Sequence, residues 1–142
     1  PPAPPARTPL PRAALVPRRE AAPRAGAGGA RAIMSVTGRT RACPADVPGP
    51  PLLDELNAGG IPDGQISVIV AVGLHRATTD DEKRAKLGSV VDRVRVFDSA
   101  GRDPAKWASL GDIPPYGVPG YTQRTIAEAD LGIATGIVEP HQ

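Results

Sequence analysis

The most constraining feature of the chain is Ile66-Ser67-Val68-Ile69-Val70-Ala71-Val72, which is apolar at all but one position and rich in β-branched residues. It is too short for a good helix. A nearly unbroken apolar run fits a strand covered on both faces, the situation of strands inside parallel α/β sheets. It is followed at once by Gly73-Leu74-His75-Arg76, a turn that carries titratable chemistry. Leu131-Gly132-Ile133-Ala134-Thr135-Gly136 repeats the pattern as a second buried strand, and a short turn then leads to Glu139-Pro140-His141.

The segments between alternate with these strands. Ala32–Thr37 reads as a short strand and Gly38–Pro44 as a polar turn. Pro50 and Pro51 suit the first turn of a helix, where proline's missing donor would be unpaired anyway. Leu52, Leu53 and Leu56 share one face of that helix, and Gly59-Gly60 stops it. Thr78 or Thr79 caps a helix over 80–87, with Glu82 completing a capping box from Thr79 and Gly88 closing it. Residues 93–97 alternate as a half-exposed strand. Residues 98–120 read as loop, and 122–129 as a short helix. The order strand, helix, strand, helix, strand, loop, helix, strand predicts an α/β fold: a Rossmann-like parallel sheet with flanking helices and right-handed crossovers.

Composition separates this part from what precedes it. Residues 1–31 consist almost wholly of Pro, Ala, Arg and Gly, with little to bury, and are expected to be a disordered tail. Residues 1–32 hold six arginines against Glu20, a charge of +5, so the rest carries −3 of the total of +2. The basic character therefore belongs to the tail, and the remainder has no basic surface that argues for nucleic acid. The tail is read first as a passive extension. A transit peptide, which would also be Ser-rich, and a nucleic-acid-binding arm are its competitors. Gly26–Gly29 precedes a strand and lacks the spacing of a dinucleotide loop. Aromatics make up 3% of the chain, so its core must be aliphatic and small. The single cysteine, Cys43, excludes an internal disulfide and fits a reducing, cytoplasmic setting. No apolar run approaches the roughly 20 residues that span a bilayer. Nothing in the pattern specifies an oligomeric state.

The two histidines, His75 and His141, follow the two buried strands. Ligands of open parallel sheets bind outside the carboxyl ends of strands. Two imidazoles at neighbouring strand tips are expected to face one cleft. One would accept a proton on one side of a carbon and the other would donate on the opposite side, as inversion of a stereocentre requires. The plainer reading of each is a polar surface histidine. Arg41 is equally readable as a solvated turn residue, Cys43 as an ordinary small residue, and 80–84 as a wet helix face. Trp107 and Tyr116 read as local packing anchors.

Val70–Thr79 closely resembles the "GxHRxxT" segment of the nickel-dependent lactate racemase family. Pro51–Ile61 resembles that family's preceding helix and turn, Thr40-Arg41 with Pro44 its "DxTRxxP" turn, and Glu128–His141 its "EADLxIxxGxxEPH" segment. The resemblance spans about 32–142 and implies a partial N-terminal catalytic domain of a racemase of 2-hydroxy acids such as lactate. It implies that His75 and His141 act in turn as acid and base, and that Thr40, Arg41, Arg76 and Glu139 contact substrate or cofactor. The cofactor it implies is a nickel pincer nucleotide, a pyridinium-3,5-bisthiocarboxylic acid mononucleotide that accepts a hydride from C2. The family's tethering lysine and nickel-ligating histidine have no counterpart here, and no residue of this chain is assigned as a metal ligand. The family's first-turn aspartate aligns with Gly38. The chain is therefore expected to be an inactive fragment by itself, with a non-catalytic remnant or binding module that keeps only the fold as the alternative.

Overall fold

The computed structural model describes residues 29–137. The tail expected over 1–31 lies, up to residue 28, outside the described residues, and so do Glu139 and His141.

Four strands form one parallel sheet: β1 (Ala32–Thr37), β2 (Ile66–Ala71), β3 (Arg95–Asp98) and β6 (Leu131–Ala134). Their spatial order is β3-β2-β1-β6. Parallel pairing sets Thr37 opposite Ala71, Val70 opposite Asp98, and Ser35 opposite Ala134, so all four carboxyl ends lie along one edge. Helices α1 (Gly49–Ala58), α2 (Asp80–Leu87) and α3 (Val90–Arg93) make the connections from β1 to β2 and from β2 to β3.

Strand side chains alternate between faces. Met34 and Val36 of β1 and Val68 and Val70 of β2 share a buried cluster with Leu52, Leu53 and Leu56 of α1, Leu87 of α2 and Val90 of α3. Ile33 and Ile69 are buried on the other face, which explains why β2 lacks the polar alternation of a one-sided strand. Truncating a fully buried leucine such as Leu53 is expected to cost about 2–5 kcal/mol. The predicted capping box of α2 is present: the Glu82 amide donates to Thr79 Oγ1, and the Thr79 amide donates to the Glu82 carboxylate.

Three elements differ from the sequence reading. Residues 98–120 are not all loop. β4 (Trp107–Ile113) pairs antiparallel with β5 (Val118–Gln123), with a register shift between Ser109 and Gly111. The short helix is confined to α4 (Arg124–Ala127), because Thr122 and Gln123 belong to β5. The four-residue helix α3 sits where the β3 strand was expected to begin, and β3 starts at Arg95.

β6 lies beside β1 on the side away from β2, so the chain reverses its direction of travel across the sheet between β3 and β6. A right-handed connection, the general rule for such sheets, is expected to put that crossover on the face opposite α1 to α3. This makes the carboxyl ends of β1 and β6 a topological switch point, the customary crevice of such sheets. Among the described residues, no helix is long and apolar enough to cross a membrane.

Candidate functional site

The first wall of the crevice is the turn after β1. Thr37 ends the strand with its Oγ1 buried and without a hydrogen-bond partner. Gly38 is buried against β2, where a Cβ would lie 2.8 Å from the Ala71 carbonyl oxygen. That close approach explains why glycine suits the position. Arg39, Thr40 and Arg41 are exposed beyond it, and the Arg41 amide closes the turn on the Gly38 carbonyl at 3.2 Å. Lys86 of α2 holds the turn from behind, donating from Nζ to the carbonyls of Arg41 and Cys43 at 3.2 Å each.

The second wall is the loop after β2. The His75 amide donates to the Val72 carbonyl at 3.0 Å, and Gly73 takes the left-handed conformation (φ +59°) that this tight turn needs. His75 is exposed on the loop, next to an exposed Leu74. Arg76 follows at the rim. Its guanidinium forms a fork onto Glu82, Nη1 to Oε2 at 2.9 Å and Nη2 to Oε1 at 2.6 Å, and Nη1 also donates to the Ala77 carbonyl. The Arg76 fork, with help from the Thr79 amide and the charge of Arg39, pulls the Glu82 carboxyl down to about 2. Glu82 is therefore ionised at neutral pH. In this arrangement it caps α2 and holds Arg76 through one carboxylate.

The structure brings Thr40, Arg41, His75 and Arg76 to the carboxyl ends of adjacent strands. It also corrects one expectation. The strands that precede the two histidines in sequence, β2 and β6, are not neighbours, because β1 stands between them; His141 itself lies outside the described residues. Two strand spacings, roughly 9–10 Å, separate β2 from β6. β6 continues along β1 as far as Thr135, whose amide and hydroxyl donate to the Ser35 carbonyl at 2.9 and 3.2 Å.

Sequence reasoning missed Lys86, Asp98 and Ser99. Asp98 accepts from the Thr78 amide and hydroxyl, and Ser99 Oγ accepts from the Val72 amide. All three act on loops distant in sequence, so no local pattern announces them. Trp107 is half-buried with its indole donating to the Ala100 carbonyl at 3.1 Å, as a local anchor should. Tyr116 is 82% exposed at the hairpin turn and anchors nothing.

Guanidinium, hydroxyl and imidazole groups at one edge are suited to a small anion that also presents an exchangeable proton. Among the described residues, no three His, Cys, Asp or Glu side chains converge as a metal site.

Comparison with known proteins is consistent across sequence and structure. The family model described as the lactate racemase N-terminal domain matches residues 16–142. The lactate racemase of Thermoanaerobacterium thermosaccharolyticum is 31% identical over 117 residues, covering 81% of this chain and 27% of that protein. The lactate racemase of Lactiplantibacillus plantarum is 32% identical over 103 residues, covering 72% and 24%. The solved lactate racemase apoprotein from T. thermosaccharolyticum superposes with a TM-score of 0.68 at 30% identity, over 80% of this chain and 27% of that one. The chain thus spans about a quarter of the length of the relatives it matches.

Proposed function

The chain belongs to the lactate racemase N-terminal domain family, and from that premise we propose that it forms the part of a 2-hydroxy-acid racemase that binds the substrate carboxylate and moves the hydroxyl proton. The observation that carries this reading is the parallel pairing of β1 with β2, which sets the Thr40–Arg41 turn beside the loop of His75. The planar Arg41 guanidinium suits a carboxylate, and the Thr40 hydroxyl adds a donor. The imidazole of His75 takes the proton of the C2 hydroxyl as that carbon is oxidised, and gives it back when the carbon is reduced. His141, which follows β6 in sequence, is proposed to do the same for the opposite enantiomer.

The family resemblance brings a nickel pincer nucleotide, and the described residues fit it in part. The unpartnered Thr37 hydroxyl, the Thr40 hydroxyl and the Arg41 guanidinium are suited to its phosphate or carboxylate oxygens. The described lysines are otherwise placed: Lys83 faces Asp80 at 3.6 Å, Lys86 holds the Arg41 turn, and Lys106 lies at the base of the hairpin. When bound, the group would supply the acceptor for the C2 hydride. Binding the acid and handling its hydroxyl proton would fall to this chain.

The test is an NMR titration of the chain with D-lactate, L-lactate and acetate. Both lactates are expected to move the Arg41 side-chain and His75 ring signals. Acetate, which lacks the hydroxyl, is expected to move Arg41 alone. A His75 ring indifferent to both lactates would refute the assignment.

One observation favours a second reading, a binding module that keeps the fold without turnover. Gly38 stands where the family carries aspartate, and its surroundings leave no room for a side chain. Chiral analysis of lactate incubated with the chain and supplied cofactor separates the two readings, since only the first allows interconversion.

A further inference from the structure

Asp98 closes β3, and its carboxylate takes both polar groups of Thr78: the amide at 2.8 Å on Oδ2 and the hydroxyl at 2.5 Å on Oδ1. Ser99, the next residue, accepts from the Val72 amide at 3.1 Å and donates its own amide to the Val70 carbonyl at 2.9 Å. Two consecutive residues of the neighbouring strand end therefore hold the first and last residues of the loop 72–78. His75 lies near its centre. Between these anchors Gly101 sits so close to Gly73 that a Cβ would overlap the Gly73 carbonyl oxygen, and Arg102 reaches the Leu74 carbonyl at 3.4 Å. The segment is itself fixed by the hairpin base. The Ala100 amide donates to Gln123 Oε1, and the Trp107 indole donates to the Ala100 carbonyl, both at 3.1 Å.

We propose that Asp98 is a positioning residue for His75, acting through Thr78 to fix the loop that presents the imidazole to the crevice. The inference rests on the reading that His75 handles the substrate proton. His75 is exposed, so side-chain packing does little to place its ring, and the backbone anchors of the loop do so instead. A carboxyl group that takes two hydrogen bonds from one residue, one on each oxygen, is a strong and directional anchor. Ser99 and Gly101 hold the opening half of the loop, and Asp98 holds the closing half.

Asp98→Asn in the full chain tests this, read by NMR. An amide side chain has one acceptor oxygen where the carboxylate has two, so its NH2 must face one of the Thr78 groups, and the hydroxyl, which can also accept, has to turn round and give a weaker, neutral contact. The Thr78 amide is expected to exchange about tenfold faster, and the His75 ring signals to shift and broaden. Thr78→Val, which removes only the hydroxyl, should move the His75 ring in the same direction, while Thr78→Ser, which keeps it, should match the parent. Gly101→Ala leaves every titratable group in place and presses on Gly73, so it should disturb the same ring signals if Asp98→Asn proves too unstable to study. His75 signals unchanged in Asp98→Asn and Thr78→Val would overturn the proposal, even with faster Thr78 exchange. A parent His75 ring that ignores lactate would overturn the functional reading and leave the positioning role of Asp98 standing.

Discussion

Lys86 on α2 donates to the carbonyl of Arg41, a residue 45 positions earlier, at 3.2 Å. The same ammonium reaches the Cys43 carbonyl. The helix that follows the histidine loop thus fixes the arginine turn. Replacing Lys86 by Met keeps the aliphatic stem and removes both donors. The expected loss of stability is about 1 kcal/mol, since two hydrogen bonds from a charged group are offset by partial exposure. Lactate affinity is expected to fall several-fold as the turn loosens. Urea denaturation and a lactate titration measure the two effects, and unchanged affinity would mean that the turn holds its shape unaided.

Glu82 links the Arg76 fork to the cap of α2, and its carboxyl is lowered from the ordinary 4.5 to about 2. A lowered carboxylate stabilises the fold above its unfolded value, and that contribution is lost as pH falls through the folded one. The Arg76–Glu82–Thr79 unit should therefore persist from neutral pH to about 4.5 and come apart between there and about 2. Glu82→Gln can still cap the helix but loses the charge that Arg76 grips. Its melting temperature should lie below the parent's at pH 7 and converge with it near pH 2. A gap of the same size at both values would show that the ion pair contributes nothing.

The capping box was legible in the sequence because it is written within four residues, Thr79 to Glu82. Thr79→Ala removes the side-chain acceptor of the Glu82 amide, 3.2 Å away. The expected cost is about 1 kcal/mol, or a melting temperature lower by about 4–8 °C in a domain of this size. Calorimetry would show it. A shift under a degree would mean that Arg76 and Glu82 hold the helix start alone.

What was legible followed hydrophobic patterning. β1 and β2 bury their apolar runs, and α1 presents Leu52, Leu53 and Leu56 to one side. β6 was expected as a buried strand, but it half-buries Leu131 and Ile133 and exposes Gly132 and Ala134, as an edge strand of the sheet does. The β4–β5 hairpin left no such trace. Its strands are largely exposed, so nothing enforces alternation, and Pro114, Pro115, Gly117, Pro119 and Gly120 look like loop. Helix α3 has four residues, less than a period of useful pattern. The Arg41 turn and the His75 loop were legible as motifs. Arg76 read as a binding residue, yet its fork closes on Glu82 six positions on, through a loop whose course no helical spacing rule describes. Asp98 meets Thr78 across 20 residues and needed the fold to be seen.

The amino edge of the sheet provides a control. Arg93 there bridges Asp54 at 2.7 Å and Asp63 at 2.9 Å and donates to Asn57 at 2.8 Å, tying the end of α1 to the turn before β2. These contacts hold the Asp63 carboxyl below its ordinary range. Arg93→Met should lower the melting temperature and, because Asp63 loses the partner that holds its carboxyl low, make it less sensitive to acid. The His75 ring and its response to lactate should not change. A changed lactate response would show that the two edges are mechanically coupled.

Gly38 bears on the enzymatic and non-catalytic readings through its surroundings. If the glycine merely left a polar contact unmade, Gly38→Asp would supply one to the crevice. The backbone argues otherwise: the new Cβ would press on the Ala71 carbonyl oxygen, an atom of β2 that has no rotamer by which to move aside. Accommodating it means separating β1 from β2 where the two site loops begin. We expect Gly38→Ala and Gly38→Asp each to cost about 1–3 kcal/mol, with aspartate no better than alanine at binding lactate. Chemical denaturation and the lactate titration, run side by side on both variants, make the comparison. Tighter lactate binding by Gly38→Asp without loss of stability would show that β1 and β2 can part at this point and that a carboxylate there serves the crevice.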